Sequence, residues 1–155
     1  MEHTKLNKVV AGLVFLISLI VYVLTLSDTV VFWDVGEFIA ASYLLQVPHP
    51  PGSPLFLLVG KIFSMIPIYH DPAVRVHVIS AITSALTSMF LYLLLVKLII
   101  TWRPRTEDWW NKLSLYTAAA IGALSLTFSP TFWFNAVEAE VYGVSMFFVS
   151  IVTWL

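Results

Sequence analysis

No cysteine occurs in these 155 residues, which removes disulfides, thiolate metal sites and cysteine nucleophiles and leaves the redox compartment unreadable. Charge is nearly as scarce. Charged residues make up 11% of the chain, eight basic and nine acidic, against about 25% in an average soluble domain. So few charges cannot coat a soluble particle of this size, which excludes a water-soluble globular domain. Disorder is excluded as well, because it needs low hydrophobicity and this chain is 59% hydrophobic. A net charge of -1 gives no electrostatic handle for nucleic acid. What remains is an integral membrane protein, and its few charges need a reason, because charge near lipid is expensive.

Charge-free runs mark the spans. A bilayer core about 30 Å thick needs about 20 apolar residues per helix. Val9 to Ser27 is uncharged, is too long for a signal-peptide core and has no small-x-small cleavage site before Asp28, so it reads as an uncleaved first span. The pattern predicts four spans, at about 9–27, 76–97, 113–129 and 141–155. The fourth run is still apolar at Leu155, so the chain reads as one transmembrane domain, 1–155, cut at its C-terminus. The stretch from Phe38 to Gly60 is also uncharged, but Pro48, Pro50, Pro51 and Pro54 lie inside it. Proline removes backbone donors and disfavours helix in the residue before it. Two short helices are therefore predicted, Glu37–Gln46 and Leu55–Met65, lying along the membrane within an outer loop at 28–75. The fold class is an all-α membrane protein with about four transmembrane helices and two short interfacial ones.

Charge also orients the chain. With the 28–75 loop on one side, Lys5, Lys8, Lys97, Arg103, Arg105 and Lys112 share the other side, leaving Lys61 and Arg75 with Asp28, Asp34, Glu37, Asp71, Glu138 and Glu140. The positive-inside rule then puts the N-terminus in the cytoplasm and the loop outside it. Phe32, Trp33, Trp102, Trp109, Trp110 and Trp133 fall at the predicted interfaces, where amphipathic rings are favoured. Ser80, Ser84 and Ser88, with Ala81 and Ala85, form a stripe of small residues suited to close helix packing.

Four outer acids fall in two clusters, Asp34-Val35-Gly36-Glu37 and Asn135 to Tyr142, the second containing Glu138 and Glu140. A carboxylate partly withdrawn from water has a raised pKa and suits general-base work. The same spacing, Asp34 to Glu37 and Asn135 to Glu138, is also that of N-cap to N3, so both pairs equally fit helix caps. Gly36 is a poor helix residue, and its place beside the acids suggests an approach for a ligand to the backbone. The run Val47-Pro48-His49-Pro50-Pro51-Gly52-Ser53-Pro54 is stiffer than a plain connection requires and reads as a site wall. The four histidines show no metal-ligand spacing, so no metal site is predicted from the sequence. Arg75 and Lys61 are the basic groups available on the acidic side for an anionic headgroup, or are plain interfacial residues.

Asp34-Val35-Gly36-Glu37 followed by Pro48-His49-Pro50-Pro51-Gly52, with Glu140-Val141-Tyr142 further on, resembles a pattern of D-x-G-E, an apolar helix, a P-H-P-P-G loop and an E-x-Y element. That pattern belongs to a bacterial multi-span membrane family of formerly unknown function, abundant in Bacteroidetes and related to an animal transmembrane protein O-mannosyltransferase. The resemblance covers about Val31 to Tyr142. It implies the GT-C superfamily, whose members move a sugar, with inversion, from a polyprenyl-phosphate carrier to an acceptor hydroxyl outside the cytoplasmic leaflet. Their first outer loop starts with an acid after the first span and holds membrane-parallel helices. Carried over, Asp34 is the catalytic base and Glu37 its partner, while His49, Arg75, Glu138, Glu140 and Tyr142 are substrate-side groups. The implied partners are membrane lipid, the lipid-linked donor and a protein or glycan acceptor. The implied location is a bacterial inner membrane. No cofactor is predicted, and the need for a divalent metal stays open. Such enzymes have many more spans, so this chain alone would be inactive. A transporter or lipid-handling scaffold, or a non-catalytic assembly subunit, are the alternative classes.

Overall fold

The computed structural model describes residues 5–50, 52–102 and 108–155. Glu2, Pro51, Arg103, Arg105 and Glu107, used above for topology and loop stiffness or counted among the charges, lie outside the described residues. Seven helices and no strand occur among those described: α1 Lys5–Leu24, α2 Val35–Leu44, α3 Pro54–Met65, α4 Pro72–Trp102, α5 Trp109–Thr127, α6 Pro130–Ala136 and α7 Val141–Trp154.

Prolines start α3, α4 and α6, where a missing N–H costs nothing. Ser129 is extended ahead of Pro130, so the helix axis turns by 68° between α5 and α6. The sequence pattern ends a span here and gives no sign of the short helix that follows. The two loop helices appear where the prolines predict them, each within two residues of its expected ends.

Two helices, α1 and α4, are long and apolar enough to cross a membrane, and a third span results if α5 and α6 count as one bent element. The expected fourth, 141–155, is an apolar helix over Val141–Trp154. The 31 residues of α4 reach about 46 Å, more than the bilayer core, so α4 tilts or projects.

Long-range polar contacts set how the helices run. The Tyr92 hydroxyl donates to Asn7 Oδ1 at 2.9 Å, and Thr127 Oγ1 donates to Ser88 Oγ at 2.9 Å. Ser18 and Thr127 hydroxyls meet at 3.0 Å, and Tyr22 donates to the Thr127 carbonyl at 2.9 Å. α1 and α5 therefore run together and opposite to α4. α7 runs with α4, as Ser80 meets Glu140, Phe90 meets Phe147 and the Lys97 ammonium donates to the Trp154 carbonyl at 2.8 Å. The bundle is inside-out relative to a soluble one: α1 buries Asn7, Ser18 and Tyr22 and exposes Val9, Leu13, Leu16 and Ile20. The small-residue stripe of α4 is its packing seam. A Cβ on Gly143 of α7 would lie 3.0 Å from both the Ser84 and Thr83 hydroxyl oxygens. The start of α4, the end of α1, α6 and the start of α7 thus gather at one end of the bundle, with α2 and α3 against them.

Candidate functional site

That end carries the acids. Val35, Phe38 and Ala139 share one apolar cluster with Ala73, Val76 and Ile79 of α4, which brings the start of α2 beside the 137–140 link. The Ser27 amide donates to the Val137 carbonyl at 3.1 Å, and the buried His77 ring bonds the Thr29 carbonyl through Nε2 at 3.1 Å. Both contacts hold the segment that leads to Asp34. Nothing in the sequence pattern gives His77 a role, and only its place in the first turns of α4 could have suggested one.

Asp34 occupies the N-cap position of α2, yet its side chain makes no cap hydrogen bond. The Glu37 carboxylate does not reach back to the helix start either. It takes the His49 amide at 2.6 Å and His49 Nδ1 at 2.7 Å. With Nδ1 held by Glu37, His49 Nε2 faces Asp34 Oδ2 at 3.9 Å. The capping alternative is therefore overturned for this pair, and the rigid loop is in place as a wall: Gly52, at φ 90°, donates its amide to the His49 carbonyl and turns the chain into α3. Gly36 has a packing reason after all, since a Cβ there would come within 2.9 Å of Val30 Cγ1.

Asp34, Glu37 and His49 each offer one ligand atom, and these lie within 4.8 Å of one another. The spacing along the chain gives no sign of this, because the fold, not a helical repeat, assembles the group. It is a set that could hold a divalent cation, although Glu37 already occupies one ring nitrogen.

Asn135 and Glu138 do not form a helix cap, and Glu140, at the N-cap position of α7, makes no side-chain cap hydrogen bond. Asn135 lies inside α6, where Nδ2 donates to the Thr131 carbonyl at 2.8 Å, and Glu138 follows that helix's end. Glu138 is 4% exposed and Glu140 9%. Burial pushes both carboxyls up from the usual range, and the negative charges of Asp34 and Glu138 push Glu140 further. Glu140 is pinned by Ser80: the hydroxyl donates to its carbonyl at 3.1 Å, and its amide donates to that oxygen at 3.2 Å. The fold thus joins two acidic clusters about a hundred residues apart, the exposed carboxylates of Asp34 and Glu37 and the buried ones of Glu138 and Glu140, with Asp34 close enough to act on Glu140.

Arg75 has other partners. Its guanidinium donates to the carbonyls of Tyr69, Ser64 and His70 at 2.6, 2.9 and 3.1 Å, closing the loop after α3. Lys61 donates to the Tyr43 carbonyl at 2.6 Å and joins α3 to α2. Tyr142 is exposed and lines a cavity between α4, α5, α6 and α7.

The pair at the site wall titrates together. The Glu37 hydrogen bond and charge hold His49 above its ordinary 6.5, and the His49 ring and amide hold Glu37 below its ordinary 4.5. The raised histidine contributes stability below about pH 6.5 that is lost as pH rises through its folded pKa. The lowered glutamate contributes above about pH 4.5 and loses it as pH falls through its own. The loop contact is therefore strongest between those values. In Glu37→Gln, NMR titration of the His49 ring is expected to move down toward 6.5; an unmoved midpoint would mean the two side chains do not pair in solution.

Residues 34–155 match the family described as the protein O-mannosyl-transferase TMEM260 N-terminal domain. The chain is similar to the protein O-mannosyl-transferase tmem260 of Dictyostelium discoideum, 30% identical over 145 residues, covering 92% of this chain and 16% of that protein. It is also similar to protein O-mannosyl-transferase TMEM260 of Mus musculus, 26% identical over 131 residues, covering 84% of this chain and 17% of that protein. The chain thus spans about a sixth of the length of these relatives. No solved structure matches it.

Proposed function

This chain belongs to the TMEM260 N-terminal family, and on that premise we propose that it forms the acid-bearing part of a membrane glycosyltransferase that moves a sugar, mannose by its relatives' names, from a polyprenyl-phosphate carrier to an acceptor hydroxyl. The observation that carries the reading is the placement of Asp34: an uncapped carboxylate on a helix start, half exposed, with His49 held beside it by Glu37.

In the proposed step, the acceptor oxygen attacks the anomeric carbon from the face opposite the carrier. The new C–O bond forms as the bond to the carrier phosphate breaks, so the configuration inverts. Asp34 takes the hydroxyl proton and the phosphate leaves with the electron pair. His49, fixed through Nδ1, presents Nε2 to Asp34 and holds the carboxylate's position. Glu138 and Glu140, whose carboxyls burial favours protonated, suit hydrogen bonds to sugar hydroxyls on the opposite wall.

A four-span arrangement in the GT-C manner, with the N-terminus cytoplasmic and the 28–75 loop on the other face, fits the charge distribution. A transporter would need ionisable groups at mid-depth, whereas the Lys, Arg and His residues of α1, α4 and α5 all lie near a helix end and α7 has none.

The test uses the full-length protein in sealed vesicles, with the single variants Ser53→Cys and Thr106→Cys each treated with an impermeant maleimide. Transfer from lipid-linked mannose to an acceptor peptide is expected on the face from which only the Ser53→Cys variant is labelled. No transfer from either face would sink the reading, and labelling of the Thr106→Cys variant from the active face would invert the topology.

A further inference from the structure

An open cavity of about 430 Å³ lies between α4, the α5–α6 bend and α7. This is within the usual range for a small-molecule site, about 300–1,000 Å³. Its walls include Leu126, Phe132, Met146 and the Tyr142 ring, and no charged residue lines it among the described residues. One wall group is unusual. Ser84 is 1% exposed, lines the cavity and has no hydrogen-bond partner for its Oγ. Its neighbours on the same stripe are both satisfied, Ser80 by Glu140 and Ser88 by the Ser84 carbonyl. A buried hydroxyl without a partner forfeits its hydration for nothing, so an acceptor oxygen is missing at this point.

Position narrows what brings that oxygen. Ser84 lies one helical turn, about 6 Å, along α4 from Ser80, which holds Glu140. Tyr142, on the cavity wall, is two residues from Glu140, and Asn135 is three from Glu138. One end of the cavity therefore adjoins the acids, and the rest runs among apolar residues of helices suited to a membrane. The break at Ser129–Pro130 keeps α6 from filling the space, and Gly143 lets α7 approach α4 without a side chain across it.

We infer that this cavity is the seat of the lipid substrate: an amphiphile with hydroxyl groups at the acids, an acceptor oxygen at the head–chain junction bonded by Ser84, and the first part of a hydrocarbon chain against Leu126, Phe132 and Met146. The assignment rests on the proposed glycosyl transfer and adds where the donor's chain lies. A free nucleotide or inorganic phosphate has no hydrocarbon chain to cover the apolar walls, whereas a lipid-linked sugar does. A neutral sugar suits the acid end, because its hydroxyls can both accept from and donate to carboxyl groups.

The probe is a mannosyl isoprenyl phosphate with a diazirine in its first isoprene units, added to the full-length protein in phosphatidylcholine vesicles. Photolabelling is expected on peptides containing Leu126, Phe132 or Met146, and to be competed by the unlabelled compound but not by excess phosphatidylcholine. Ser84→Ala, nearly isosteric, is expected to weaken the probe about fivefold, the worth of one hydrogen bond. Met146→Trp, at a half-exposed position, is expected to remove most of the labelling by filling the space. Labelling confined to other helices overturns the assignment. So does equal labelling by a diazirine-tailed phosphatidylcholine, unchanged affinity in Ser84→Ala, or a Met146 region occluded by other parts of the protein. If the cavity labels as expected but Asp34→Asn transfers normally, the lipid seat stands and the transfer mechanism falls. If Asp34→Asn is inactive and the cavity does not label, the reverse holds.

Discussion

Asp34→Asn in the full-length protein is expected to lower sugar transfer by about 10²–10⁴-fold, the usual worth of a positioned general base. The substitution keeps the shape and removes the charge. It leaves the fold alone, because the Asp34 side chain makes no cap bond and the contact that continues the helix is a backbone one, Phe38 N to the Asp34 carbonyl at 2.9 Å. The loss should therefore appear in kcat with the thermal midpoint and probe binding unchanged. A variant with normal turnover would remove Asp34 from the chemistry. Glu37 behaves differently. It acts through His49, so Glu37→Gln should lower transfer less and shift its pH profile along with the His49 titration.

Gly60→Val is expected to destabilise the protein by about 1–3 kcal/mol, the range for overpacking a well-packed interior. The reason lies in how α3 meets α2. A Cβ built on Gly60 falls onto the Ser42 hydroxyl, 2.7 Å from Ser42 Cβ, while Val76 Cγ1 is 3.7 Å away on α4. Three helices converge where there is room for none of this added volume. Forcing α2 from α3 also pulls on the loop between them, which carries His49, so transfer should fall with stability. The double variant Gly60→Val with Ser42→Gly is expected to recover part of the loss, because the Ser42 hydroxyl is buried without a partner and its removal breaks no bond. Thermal unfolding in detergent of the parent, the two single variants and the double variant measures this. A Gly60→Val protein as stable as the parent, or no recovery in the double variant, would mean that the helices do not touch at this point.

Local features of the fold are legible in the sequence because they depend on neighbouring residues. Charge-free runs mark the long helices, and prolines bound α2 and α3 to within two residues. The serine–alanine stripe of α4 reads as a packing seam for the same reason: spacing along one helix decides which residues share a face. The site is partly legible. The stiff loop after the D-x-G-E run points to a wall facing the acids, and His49 does face Asp34 and Glu37.

Other assignments fail where distant residues compete for the same atoms. Asp34 and Asn135 have the spacing of caps, but Glu37 finds a better partner in His49, and Asn135 lies inside a short helix that an apolar run conceals. Arg75 looks available for an anion and is spent on three carbonyls, one at the end of α3 and two in the loop after it. Gly36 looks like an opening for a ligand and is a close contact with Val30.

By itself the sequence determined that the protein is helical and membranous, because composition and periodicity act over a few residues at a time. Only the tertiary structure decided that Glu138 and Glu140 are buried beside Asp34, that Ser84 looks into a cavity, and that His77 holds the segment before the site. Each of these depends on which helix faces which across about fifty to a hundred residues. That is settled by packing the small residues of α4 against three neighbours at once, and no local pattern encodes it.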